Sequence, residues 1–99
     1  MPSKDEIIIS ENPTKKVGDD EELEPINRKE LAILLRSHDF ESVKVVGEKY
    51  RMQVVFVRSE VKDLIDQYAS GKTIMVDYSK LVAATNWWND TVSLWRSKV

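Results

Sequence analysis

Few residues in this chain have the type or spacing for chemistry. His38 is the single histidine and cysteine is absent, so thiolate chemistry and His/Cys metal centres are excluded. His38 could serve as a base in principle, but no nucleophile motif supplies a serine for it, and a nucleophile needs both a base and an orienting group. Ser70-Gly71-Lys72-Thr73 resembles the end of a phosphate-binding loop, but the glycine required five positions before Gly71 is Asp66. Gly71 is better explained as a helix stop. Asp63 and Asp66, and the run Asp19-Asp20-Glu21-Glu22, read as solvated charge. The sequence therefore predicts no catalytic, metal-ligating or cofactor-binding residue, and a protein that is not an enzyme.

The elements around these residues are more informative than the residues themselves. Phe40 to Gly71 reads as a β-hairpin running into an amphipathic helix. Val43 and Val45 alternate with Ser42 and Lys44. Gly47-Glu48-Lys49 suits a three-residue connection. Beyond it Tyr50, Met52, Val54 and Phe56 share one face; Arg51, Gln53, Val55 and Val57 share the other, which turns apolar near its end. Ser59 is the expected cap of the next helix, Val61, Leu64, Ile65 and Tyr68 its buried stripe, and Gly71 its end.

An earlier helix is expected from Asn27, capped through Asn27 and Glu30, to about Ser37, with Leu31, Leu34 and Leu35 inward and His38 at its end. The last helix should start from an Asp77 cap and run from Tyr78 to about Arg96. It carries one strip of Leu81, Thr85, Trp88, Val92 and Trp95, and an adjacent strip of Ala84, Trp87, Thr91 and Leu94. Trp87 and Trp88 point about 100° apart on an ideal helix, so one narrow groove does not hide both.

Charge divides the chain. Residues 1–26 hold three lysines against eight carboxylates, a net of −5; residues 27–99 hold twelve basic against nine acidic groups, a net of +3. With three prolines, residues 1–26 read as an acidic arm, mostly disordered or extended, before a single domain at 27–99. Ile7-Ile8-Ile9 interrupts the arm. Three isoleucines are costly to leave in water, and they suit either a third strand on the hairpin edge or a strand added to another protein's sheet.

Residues 27–96 resemble a small uncharacterised domain of bacteria and their phages, through Lys29–Leu35, Val43–Phe56 and the run Val61-Lys62-Asp63-Leu64-Ile65-Asp66-Gln67-Tyr68 to Gly71. The resemblance implies a phage, viral or mobile-element accessory protein, and no activity.

The expected fold is α+β, in the order α-β-β-α-α, with helices on the hairpin face of Val43, Val45, Met52, Val54 and Phe56. The expected function is a protein-interaction or assembly module that contacts a protein partner or pairs as a homodimer. Trp87, Thr91 and Leu94 would carry the main contact and Ile7, Ile8 and Ile9 a second. The competing expectation is a nucleic-acid regulator using Lys44, Lys49 and Arg51, although a net of +3 is weak for tracking phosphates. No apolar run approaches the length of a membrane span and no leader pattern is visible. Together with the absence of cysteine, this suggests a cytoplasmic protein.

Overall fold

The computed structural model describes residues 6–99. In chain order the elements are β1 (Ile7–Glu11), β2 (Leu23–Ile26), α1 (Lys29–Ser37), β3 (Lys44–Glu48), β4 (Arg51–Val57), α2 (Arg58–Ala69) and α3 (Tyr78–Lys98). The strands form one antiparallel sheet in the order β1-β3-β4-β2, so the hairpin β3–β4 is central. The class is α+β as expected. The expected order α-β-β-α-α is corrected, because two strands precede α1 and the sheet has four strands.

Both additional strands come from the acidic segment. A two-stranded hairpin has two open edges and is marginal alone. The three isoleucines lie along β3, with Ile7 opposite Gly47 and Ile8 opposite Val46. The register then slips, so that Ser10 stands opposite Val45 and Ile9 is the extra residue of a bulge. Ile9, two residues after Ile7 and on the same face, lies in the core and is 1% exposed. On the far side, Leu23-Glu24-Pro25-Ile26 pairs with β4. A proline inside this strand obscures it in the sequence, and an edge is where the sheet tolerates one.

The helices cover one face of the sheet. Val45, Met52, Val54 and Phe56 point into the core with Ile9 and Ile26, and meet Leu31, Ala32, Ile33 and Leu35 of α1, Val61 and Leu64 of α2, and Ala84 and Trp88 of α3. Val43 was expected in this set but precedes β3 and is half-buried. Strand alternation puts Val46, Val55 and Val57 on the opposite face; they are buried, beside the exposed Ile8 and Leu23.

Three local expectations change. Gly47 and Glu48 belong to β3, opposite Met52 and Arg51, so the hairpin turns through Lys49 and Tyr50 rather than through Gly47-Glu48-Lys49. The role of Gly47 lies elsewhere. A Cβ there would stand 2.7 Å from Cδ1 of Trp95, and the Trp95 indole Nε1 donates to the Glu48 carbonyl at 2.8 Å. Neither Asn27 nor Ser59 caps a helix. α1 and α2 begin from Arg28 and Val57, with no side-chain cap hydrogen bond. α2 follows β4 without a loop, which leaves Ser59 already inside it.

Asp77 does cap α3, accepting from the Lys80 N–H. The Ser79 hydroxyl donates to Asp77 Oδ1 at 2.6 Å and, with that N–H, holds the carboxyl below its ordinary range. A depressed carboxyl stabilises the folded chain above its unfolded pKa, so this contribution fades only as pH falls below 3.8.

The helix ends repeat one design. Past α2, Gly71 is left-handed at φ 76°; its N–H bonds to the Tyr68 carbonyl, and the Lys72 N–H bonds to that of Gln67. Past α1 the same pair of bonds runs from Asp39 to Arg36 and from Phe40 to Leu35, with Asp39 at φ 68°. Asp39 also accepts an ion pair from Lys80 at 2.5 Å.

Two predictions follow from this packing. Gly47→Ala should cost about 1–3 kcal/mol in urea unfolding, since the indole is rigid and tethered, and most of that cost should disappear in a Trp95→Ala background. At the helix ends, Gly71→Ala should cost about 1 kcal/mol, whereas Asp39→Gly should raise stability by up to about 1 kcal/mol, because glycine carries no penalty at positive φ.

Candidate functional site

α3 runs beside β1. Trp95 sits over Gly47, which is opposite Ile7. Trp87 lines a hollow of about 310 Å³ together with Ser10, Glu11, Asn12 and Pro13. α3 therefore descends alongside β1 from its Glu11 end to its Ile7 end. The distances agree: eight helical residues rise about 12 Å, and the five residues of β1 span about 13 Å.

The sequence could not say how one helix would accommodate three tryptophans. Trp88 is buried in the core. Trp87 is half-buried, meets the Trp88 ring edge to face at 6.3 Å, and carries the Arg36 guanidinium 5.6 Å above its centroid. α1 thus covers part of the strip expected to be free. Thr91 is 8% exposed, and its hydroxyl donates to the Trp87 carbonyl at 2.7 Å. It packs inside the chain. Leu94 is 39% exposed and lies one heptad beyond Trp87, within about 20° of it around the helix. The flank Trp87–Leu94 consequently faces the β1 side of the molecule.

The isoleucines divide in the same way. Ile9 is in the core and Ile7 packs against it, while Ile8 is 53% exposed on the other side of the sheet. Of the six residues expected to bind a partner, Ile8 and Leu94 are the exposed ones and Trp87 contributes an edge. They sit above, below and beside a strand edge that carries no partner among the described residues.

The basic set is not brought together. Lys44 and Glu48 stand at opposite ends of β3, about 13 Å apart. Lys44 has Glu11 as its cross-strand neighbour, and Arg51 reaches Glu48 at 3.6 Å. Lys49 leans over Tyr50 in the turn. Each cation has a carboxylate or an aromatic ring beside it.

Two further hollows were not foreseen. One, of about 670 Å³, lies between Asp20–Glu22 and the start of α2, with acidic and basic residues interleaved. The other is an apolar groove of about 470 Å³ where Ile33, Leu34, Tyr68, Ile74 and Leu81 meet, beside the exposed Met75 and Tyr78. It depends on how three helices converge, which no local pattern encodes.

His38 caps α1, and its Nε2 is buried with no hydrogen-bond partner among the described residues. No carboxylate or hydroxyl is bonded to that nitrogen. Among the described residues no group of three His, Asp or Glu side chains is placed to hold a metal ion, and no helix is long and apolar enough to cross a membrane. Comparison with known protein families, with characterised proteins and with solved structures finds no match for this chain.

Arginine substitutions should separate surface from core in thermal or urea unfolding. Ile8→Arg and Leu94→Arg should each change stability by less than about 1 kcal/mol, whereas Ile9→Arg and Thr91→Arg should each cost roughly 3 kcal/mol or more, because they bury an unpaired charge.

Proposed function

We propose that this chain is a non-enzymatic interaction module that engages a protein through α3 and the isoleucine strand. The observation that carries the reading is the placement of Leu94 and Trp87 on one side, and Ile8 on the other, of a β1 edge that pairs with no strand among the described residues. A large exposed leucine and isoleucine flanking an open edge form a surface that soluble proteins otherwise blunt with charge or proline. The contact is made by the outer flank of α3, since the inner tryptophan faces are occupied within the chain. The resemblance of residues 27–96 to a bacterial and phage domain favours an accessory role in a virus or mobile element. Nucleic-acid recognition through the hairpin is the weaker reading, because Lys44, Lys49 and Arg51 are dispersed and compensated.

A photo-crosslinking side chain at position 94 tests this in the native host, with position 62 on the exposed side of α2 as control. Position 94 should give a discrete protein adduct, or a dimer of the chain, that position 62 does not give. Identical products from both positions would remove the interaction reading.

A further inference from the structure

We propose that the chain pairs with a second copy of itself through the groove where α1, the end of α2 and the start of α3 converge, each copy seating Met75 and Tyr78 in the groove of the other. This contact is separate from the one through Trp87 and Leu94 and does not depend on it. Tyr78 lies about 180° from Trp87 around α3, so the pair leaves that flank uncovered. The groove has a volume of about 470 Å³ and an apolar lining that includes Ile33, Leu34, Ile74 and Leu81. Met75 follows Ile74 in the chain, and Tyr78 stands one turn before Leu81 on the same side of the helix. Both project from the molecule, 83% and 78% exposed. An apolar hollow and apolar projections side by side on one surface complement each other under a two-fold rotation, which is the requirement of an isologous pair.

Area and charge select a second copy as the occupant. Met75, Tyr78, Leu81 and Val82 are exposed together. Covering them removes roughly 500 Å² from each copy and about 1,000 Å² from the pair, which is where specific interfaces begin. A small ligand in the hollow would leave Met75 and Tyr78 in water, and a projecting methionine and tyrosine are side chains that interfaces favour. The charged groups at the rim are Lys29, Glu30 and Lys72, with Asp77 at the start of α3. Lys80, beyond Asp77, is tied to Asp39. Two cations against two carboxylates carry no net charge to draw a strongly acidic or basic partner, and none to drive two copies apart. Among the described residues Lys29, Lys72 and Glu30 form no ion pair within the chain, so each is available to an opposite charge on the other copy.

The test is sedimentation equilibrium of the full chain from about 1 μM to about 1 mM, a range that spans moderate to weak pairing. The chain should pass from monomer to dimer. Met75→Asp and Tyr78→Asp, each at an exposed position, should weaken pairing roughly tenfold or more and leave the circular dichroism spectrum of the monomer unchanged. Leu94→Arg should leave pairing as it is. In a mixture of unlabelled and isotope-labelled chains, a photo-crosslinking side chain at position 75 should give mixed adducts that join it to residues 29–34 of the other copy. A chain that stays monomeric across the range overturns the proposal. So does a dimer that survives both aspartates, a dimer that Leu94→Arg dissolves, or a crosslink from position 75 that reaches the Trp87–Leu94 flank instead of α1. In the native host, an adduct of position 75 with a different protein and none with a second copy overturns it too, and gives the groove to that partner. The crosslink at position 94 reads the other side of α3, so each proposal can fail while the other stands.

Discussion

The contact between the Trp95 indole and Gly47 sets the geometry on which the rest of the molecule depends. A bare glycine in the middle of β3 lets the ring approach the strand, and the indole nitrogen closes the contact by bonding to the Glu48 carbonyl. That anchor fixes the lower end of α3 above the β1–β3 side of the sheet. The upper half of the helix is then positioned for α1 to pack across Ala84 and Trp88. A helix free to roll would expose one tryptophan or another; this one buries Trp88, clamps Trp87 under Arg36 and leaves Leu94 outside.

The same anchor explains why the isoleucine segment is a strand. Once α3 covers the β1–β3 side, the position beside β3 has a roof, and an aliphatic strand laid there buries residues on the helix side. Strand alternation places Ile7 and Ile9 on that side, and the bulge at Ile9 then interrupts the regular ladder. The third isoleucine faces outward, and among the described residues no strand pairs with the outer edge of β1. One short segment therefore gives Ile7 and Ile9 to the packed side of the sheet and leaves Ile8 exposed on the other.

Charge is arranged to a similar end. The acidic segment does not hang away from a basic body. Lys15 bridges to Glu60 and Glu22 to Arg58, which ties the β1–β2 connection to the start of α2. Such exposed pairs contribute little each, but together they hold a segment whose two ends lie on opposite edges of the sheet. Glu11, at the end of β1, has Lys44 as its cross-strand neighbour.

Local chemistry was enough to identify the hairpin's inward face, the α2 stripe, the stop at Gly71 and the cap at Asp77, because each rests on contacts within a few residues. The sequence alone also established the absence of thiols and of any multi-histidine centre. What it could not settle were features decided by partners distant in the chain. Gly47 looked like a turn residue because its real neighbour lies 48 positions away. Leu23–Ile26 looked like a tail because a proline is forbidden in most strands and allowed at an edge, and only the assembled sheet defines the edge. Thr91 and Leu94 share one strip of the helix, about 60° apart, and the packing of α3 against α1 and the sheet made one of them core and the other surface.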